Sequence, residues 1–279
     1  MISNLDTEIE KLLETRFRKN QLASQLGFFS KPIRVTKGNI EYVIKLYSPT
    51  RNKDIINTIK TNHQPYIDEL SSIGINVPDT HLQEKKSGNK TVLVITQKAF
   101  EEKELVRGMI ENGNHEIVLH VLKLMLDDCL KYWKNKPEKE IGFHPTTRNY
   151  ALKDDQLHYF DTFPPMLMSQ KKLNRIIIQM TPAKINIKPL VHQKWVNRVS
   201  DEYYQIDKMV SGITGSFCRL RPELKEEILE TSWRIIEKTD VLNQHEKIST
   251  LNRIQTPPKL SGIWLGFRKL FGKTGKPNI

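Results

Sequence analysis

The chain has 279 residues, of which 38% are hydrophobic and 27% charged, the balance of a water-soluble globular protein that can bury a sizeable core. It has no apolar run of about eighteen residues, and its acidic start lacks an apolar stretch, so neither a membrane-spanning helix nor a signal peptide is expected. The two cysteines, Cys129 and Cys218, indicate free thiols in a reducing compartment, and we expect a cytoplasmic protein.

The positive charge is concentrated in two stretches. The formal net charge is +12, and acids are absent between Asp161 and Asp201 and again after Glu246. The first stretch carries Lys171, Lys172, Arg175, Lys184, Lys188, Lys194 and Arg198. Such stretches favour an anionic partner: a phosphorylated small molecule, a nucleic acid or an anionic membrane surface. A basic surface without a dedicated partner is the alternative.

The N-terminal part of the chain predicts a helix followed by strands. Residues 5–24 place apolar side chains at helical spacing. Residues 33–46 alternate apolar and polar side chains on either side of a turn at 37–39. We therefore expect two or three antiparallel strands, with Lys45 on the last of them.

The middle of the chain predicts further helices and one compact strand. Residues 52–73 have a helical pattern interrupted by Pro65, which predicts two helices or one kinked helix. Residues 91–96 are typical of an apolar strand, and 97–100 of a hinge after it. Residues 115–133 are apolar on nearly every side and predict a buried helix. An amphipathic helix is expected over 223–238.

Residues 141–165 predict a tight loop and a β-hairpin. Tyr150 starts the first strand, residues 153–156 are typical of a turn, and the second strand leads to Asp161. A hairpin brings Asn149, just before one strand, close to Asp161, just after its partner. An amide oxygen and a carboxylate placed together suit Mg²⁺, which binds a few protein oxygens together with substrate phosphates.

This order of features resembles the protein-kinase-like superfamily, in particular its aminoglycoside phosphotransferase and choline kinase branch. The sequence YVIK ending at Lys45 is similar to the VAIK motif, and GINVP at 74–78 is similar to the family's link between helix C and its fourth strand. Asn149 and Asp161 stand where the family has the Asn of HRDxxxxN and the Asp of DFG. The resemblance covers roughly residues 25–165.

The resemblance implies ATP and Mg²⁺ as cofactors. It places Lys45 on the α- and β-phosphates of ATP, and Asn149 and Asp161 on the metal. Gly27 and Ser30 stand in the place of the glycine-rich loop as nucleotide contacts, with fewer glycines than the family pattern. Two departures are clear: the family's catalytic Asp falls on His144, and no acid occupies 63–65, where the helix glutamate is expected.

Two residues of the loop have alternative interpretations. His144 acts as a general base, since an unperturbed pKa near 6.5 suits that task, or it is an ordinary loop histidine. Arg148 binds a substrate phosphate, pairs with Asp161 or is structural. If the missing aspartate has ended catalysis, the protein is a pseudokinase that binds nucleotide or ligand without turnover.

We therefore expect an α+β protein with a two-lobed, kinase-like fold. An N-lobe would span 1–98, a helical C-lobe 99–258, and a basic amphipathic tail 259–279. The leading hypothesis is phosphoryl transfer from ATP to a hydroxyl of a small or lipid-like, anionic substrate. The alternatives are the pseudokinase and, third, a basic nucleic-acid-binding protein. The tail either packs on the C-lobe or contacts an anionic membrane, which would make the protein peripheral.

Overall fold

The protein is a mixed α+β chain with a small antiparallel sheet and several helices. The computed structural model describes residues 5–18, 30, 32–136, 140–180, 196–197 and 200–256. The described helices are α1 (Asp6–Arg18), α2 (Lys53–Ser72), α3 (Val106–Asn112), α4 (His115–Asn135), α5 (Gln170–Met180), α6 (Ile206–Leu220), α7 (Lys225–Lys238) and α8 (Gln244–Gln255). The strands are β1 (Pro32–Lys37), β2 (Ile40–Leu46), β3 (Thr80–Ser87), β4 (Lys90–Lys98), β5 (Tyr150–Lys153) and β6 (Gln156–Tyr159).

The first four strands form one antiparallel sheet in the order β1-β2-β4-β3. The predicted strand pair over 33–46 is confirmed as β1 and β2, and Gly38 supplies the positive φ of 60° that their turn needs. The predicted strand at 91–96 is confirmed within β4. Residues 97 and 98 of the expected hinge still belong to that strand.

Opposite faces of this sheet pack against different helices. On one face, β2 and β4 pack against α1. The buried side chains of this contact are Leu5, Ile9, Leu13, Tyr42, Ile44, Leu46, Val92 and Val94. On the other face, Leu93 and Ile95 join the main core together with α2. Lys45 pairs with Ile95 across the strands, and paired residues share a face, so Lys45 lies on the α2 side.

Helix α2 corrects one expectation. It runs without interruption from Lys53 to Ser72 although Pro65 lies inside it, so of the two predicted forms the single helix is correct and the pair of helices is wrong. His63 and Tyr66 on either side of the proline are buried, and this packing holds the helix together across the missing hydrogen bond. Gly74, with φ of 89°, ends the helix, as Ile75 N–H bonds to the Leu70 carbonyl.

The predicted hairpin is confirmed, with a tighter turn than expected. Lys153 and Gln156 are the last paired residues, and only Asp154 and Asp155 form the turn. Both have positive φ, 50° and 59°, as a two-residue turn requires if it is to match the twist of the strands. Asp and Asn adopt this backbone conformation more readily than most residues.

One core joins the inner face of the sheet, the hairpin and the helices that follow it. Helix α4 supplies Val118, Val121, Leu122, Met125 and Leu126, which confirms the helix predicted over 115–133; only one side of it is buried, since His120, Lys123 and Asp127 are exposed. Cys129 and Cys218 are both buried free thiols. None of the helices in the described ranges has the length and apolar character needed to cross a membrane.

Candidate functional site

Lys45 and Asp161 meet at the centre of the candidate site although 116 positions separate them in the sequence. The Nζ atom of Lys45 lies 3.5 Å from Oδ1 of Asp161 and 3.2 Å from the carbonyl oxygen of Phe160. The Lys45 side chain is 12% exposed and that of Asp161 33% exposed. The cation is thus mostly buried, whereas the carboxylate remains accessible to a ligand from solvent.

A buried glutamine binds the same carbonyl from a neighbouring strand. Gln97, near the end of β4, donates from Nε2 to the Phe160 carbonyl at 3.0 Å and to Thr80 Oγ1 at 2.7 Å. Gln97 is 3% exposed, so these bonds satisfy an amide that would be costly to bury alone. Strands β2 and β4 therefore both hold the segment that carries Asp161.

Asn149 lies across the open end of the hairpin from Phe160, as its carbonyl accepts the Phe160 N–H at 2.9 Å. The side-chain Nδ2 of Asn149 donates to the carbonyl oxygen of His144 at 3.0 Å. That bond leaves the amide oxygen as the atom with which Asn149 can bind a cation. The predicted convergence of Asn149 and Asp161 at this end of the hairpin agrees with the structure.

His144 is half-buried in the loop and lies beside Tyr203, with 4.3 Å between ring centres. Burial lowers the pKa of His144 from 6.5 to about 4, and the nearby Asp161 carboxylate opposes this only in part. The pKa of His144 is thus lower than the unperturbed value from which its role as a base was argued, because its loop is more buried than its polar sequence indicated. At neutral pH the imidazole is uncharged and can accept a proton.

Buried tyrosines fix the backbone of the loop before His144. Tyr132 on α4 donates its hydroxyl to the carbonyl of Ile141 at 2.6 Å, and Tyr66 on α2 donates to that of Gly142 at 3.1 Å. The N–H of Gly142 donates to the carbonyl of Met166 at 2.8 Å. Because these groups are buried, the bonds restrict the loop to one conformation.

Helix α2 contacts the other side of the site without a charge. His63, at the place where the resemblance leads one to expect an acid, is 2% exposed, and its Nε2 lies 3.0 Å from Thr162 Oγ1. Burial lowers the pKa of His63 to about 4, with a smaller effect from His81, so the ring is neutral at pH 7. Asp68, the next acid along α2, is exposed and accepts a hydrogen bond from Gln64 Nε2 instead.

The chemistry of this site fits a divalent cation for which the protein supplies only some of the ligands. Asp161 offers an accessible carboxylate and Asn149 an amide oxygen, the hard donors that Mg²⁺ uses alongside water and phosphate. Among the described residues, no group of three or more His, Cys, Asp and Glu side chains is arranged to hold a metal. A cation here would thus take most of its ligands from a bound phosphate and water.

The other predicted residues are less closely tied to this centre. Arg148 lies in the loop between His144 and Asn149 and is half-buried, and its role stays a prediction. Ser30 is 6% exposed. Gly27 lies outside the described residues, as do Lys184, Lys188, Lys194 and Arg198 of the basic stretch and the tail at 259–279.

Comparison with known proteins gives a family but no activity. Residues 5–275 match the sequence model of a family described as a family of unknown function (DUF6206). The chain belongs to this family. A search of curated proteins found no match. The DUF6206 description names no ligand or reaction, so the functional argument depends on the geometry of the site.

Sequence reasoning missed His63, Gln97 and Thr162 as parts of this site. One signal was present for His63: it lies four positions after Ile59 and three before Tyr66, on the apolar face of α2. A polar residue at a core position of a helix needs a buried partner. The alternation of β4 gave no comparable signal for Gln97.

Proposed function

We propose that this protein is an ATP- and Mg²⁺-dependent phosphotransferase that acts on a hydroxyl of a small or lipid-like, anionic substrate. The observation that carries the proposal is the contact of Lys45 with Asp161, beside Asn149 at the end of the hairpin. A strand lysine of this kind binds nucleotide phosphates, and an acid and an amide bind the metal that bridges them. The proposal thus rests on three residues from two distant parts of the chain.

The order of elements around Lys45 supports a kinase-like, two-lobed arrangement. Helix α2 lies between the strand that carries Lys45 and β3, as the family's helix C precedes its fourth strand. The sheet ends at Lys98, and the described residues from there to His144 are mainly helical. Such an arrangement would place the adenine next to the end of β4 and the phosphates next to Lys45.

The environment of His144 favours an anionic substrate. A neutral imidazole with a pKa of about 4 binds a proton about as tightly as an ordinary aspartate, but it carries no negative charge before it does so. A carboxylate at about 4 Å from an anionic substrate would repel it by roughly 4 kcal/mol near a protein surface. The exposed cations Lys171, Lys172 and Arg175 on α5 fit the same substrate class.

A second candidate is a protein that binds nucleotide without turnover. It is favoured by one observation: a histidine, His144, occupies the position of the family's catalytic aspartate. Phosphoryl transfer depends mainly on positioning and electrostatics, so the change of base alone does not exclude catalysis.

Transfer of the labelled γ-phosphoryl group from ATP distinguishes the two candidates. The acceptors would be small polyols, sugar phosphates and vesicles of hydroxylated anionic lipids, each with Mg²⁺. The phosphotransferase proposal predicts transfer by the wild type and its loss in Asp161→Asn. Transfer that occurs only in His144→Asp would instead establish the binding protein. If the wild type and His144→Asp both fail to transfer the label and to bind MgATP, both candidates are wrong.

A further inference from the structure

Helix α2 places two buried polar side chains against the two halves of the candidate site. His63 contacts Thr162, the residue after Asp161, and Tyr66 contacts the carbonyl of Gly142, two residues before His144. The two side chains are three positions apart and therefore lie on the same face of the helix. One rigid element thus bonds both the segment of the metal carboxylate and the loop of the proposed base.

The bond between His63 and Thr162 is enclosed. The two residues are 2% and 1% exposed, so water cannot replace either partner. A neutral imidazole forms this bond in either tautomer, since Nε2 can donate to the hydroxyl oxygen or accept from the hydroxyl group. Loss of one partner would leave a buried polar group unsatisfied, and this makes the bond a strict geometric constraint.

The backbone around Asp161 is held on both sides. Before it, the carbonyl of Phe160 accepts from Lys45 and Gln97. After it, Thr162 is bonded by His63, and Phe163 stacks on Tyr47 with 3.5 Å between ring centres. A backbone fixed on both sides of Asp161 sets the direction of its Cα–Cβ bond and thus limits where the carboxylate can lie.

We propose that His63 is a positioning residue for Asp161: through Thr162 it orients the carboxylate towards Lys45 and the metal site. Helix α2 is thereby coupled to the site by a neutral hydrogen bond, and Lys45 is left to pair with Asp161. The expected effect of His63 on metal binding rests on the proposed function. Its expected effect on the contact of Lys45 with Asp161 does not. His63 touches neither substrate nor cofactor in this role.

The rate at which acetic anhydride acetylates Lys45 tests the positioning role in the full chain without any ligand. The contact with Asp161 and the burial of the side chain shield the amine of Lys45 from the reagent, and loss of the contact exposes it. Mass spectrometry should find Lys45 acetylated several-fold faster in His63→Leu and in Thr162→Val than in the wild type, with Asp161→Asn as the upper limit. The double variant should react no faster than either single variant, because both remove the same bond. Thr162→Ser, which keeps the hydroxyl, should react like the wild type.

A matched control separates positioning from a general loss of stability. Thr214 on α6 and Ser232 on α7 form a buried hydroxyl pair at 3.0 Å, away from the site. Thr214→Val should lower the unfolding midpoint as Thr162→Val does and leave the acetylation of Lys45 unchanged. Equal rates in Thr162→Val and the wild type would overturn the proposal, as would equal acceleration in Thr214→Val. Should His63→Leu fail to fold, Thr162→Val and its serine control still decide the question.

Calorimetric titration with ATP adds the link to function. If the proposed function is correct, Thr162→Val should lose most of the affinity that Mg²⁺ adds and keep the affinity for metal-free ATP. If the wild type binds no MgATP while the acetylation of Lys45 responds as predicted, the positioning role stands and the proposed function fails. The two failures are therefore distinguishable.

Discussion

Lys45 is bonded by a carboxylate and a carbonyl, and only the first can be displaced by a ligand without breaking backbone structure. Its Nζ also lies 5.4 Å from the centre of the Phe160 ring. A nucleotide phosphate would replace the carboxylate as partner without loss of charge pairing, since both anions form charge-assisted hydrogen bonds with an amine. The contact with Asp161 holds the amine in place.

Replacement of this cation should therefore weaken nucleotide binding more than it weakens the fold. Lys45→Met should lower the affinity for MgATP roughly 10- to 100-fold, the loss of one charged hydrogen bond of about 1.5–3 kcal/mol. Calorimetric titration measures the affinity. Lys90→Met, at an exposed position of β4, is the matched control and should bind like the wild type. Equal affinities in the two variants would remove Lys45 from the site.

Asp128 on α4 is a buried carboxylate outside the proposed mechanism. Burial raises its pKa to about 7, and the repulsion of Asp127 adds to this while Lys131 opposes it. The folded state therefore holds this proton at pH values where the unfolded chain has released it. The contribution of Asp128 to stability is most favourable below pH 4 and is lost as the pH rises from 4 to 7.

Asp128→Asn should remove the fall in stability that Asp128 causes as the pH rises from 4 to 7. Relative to the wild type, the variant should gain roughly 2–4 kcal/mol of unfolding free energy between pH 4 and pH 8, as follows from a shift of about three pKa units. His63 and His144, with lowered pKa values, act with the opposite sign in both proteins, so the difference isolates Asp128. Urea unfolding at a series of pH values measures it, with Asp240→Asn, at an exposed position between α7 and α8, as the control. Parallel profiles for Asp128→Asn and the wild type would contradict a buried, protonated Asp128.

Single residues of the site were predictable from the sequence only where a motif marked them. Lys45, Asn149 and Asp161 follow from strand and hairpin patterns together with the resemblance. The altered basicity of His144 did not, because burial of a loop depends on residues such as Tyr203 that lie far away in the sequence. The same is true of the contact between His63 and Thr162, 99 positions apart.

At the scale of elements, the loop 141–149 is held between α2, α4 and the segment after the hairpin. Gly142 is the tightest point: a Cβ atom there would lie 2.9 Å from Tyr204 Cζ and 3.2 Å from Met166 Cβ. Tyr204 cannot move freely, since its hydroxyl donates to the carbonyl of Met168 at 2.9 Å. A side chain at 142 must therefore displace the loop.

Gly142→Ala should destabilise the protein by about 1–3 kcal/mol through this overpacking and weaken MgATP binding by displacing the loop. Gly212→Ala on α6 is the matched control: its Cβ meets nothing within 4 Å, and alanine in a helix should stabilise by roughly 0.5–1 kcal/mol. Chemical denaturation measures both changes. A loss of stability in Gly212→Ala equal to that in Gly142→Ala would show that the close contacts at 142 do not matter.

The types of the elements were largely predictable, and the exception shows why tertiary packing matters. Pro65 breaks the local rule for helices, yet α2 continues through it because Tyr66, Ile67 and Leu70 are buried beyond the proline. The stability of α2 therefore comes from its apolar face more than from local propensity.

At the scale of the whole molecule, the site depends on contacts between distant parts of the chain. The sheet supplies Lys45 and Gln97, α2 supplies His63, and the hairpin supplies Asn149 and Asp161. The order of these parts along the chain could be read from the sequence, but their distances could not, since periodicity carries no information on how elements pack together. The basic tail at 259–279 remains a prediction.

The most direct test of the central claim is thermal unfolding with and without ATP and Mg²⁺, for the wild type and Asp161→Ala. A ligand that binds only the folded state adds about 2.7 kcal/mol at roughly 100 times its Kd, a rise of several degrees in Tm for a chain of this size. We predict such a rise for the wild type, dependent on Mg²⁺ and lost in Asp161→Ala. An unchanged Tm in both proteins at millimolar MgATP, or an equal rise in both, would contradict a nucleotide–metal site at Lys45 and Asp161.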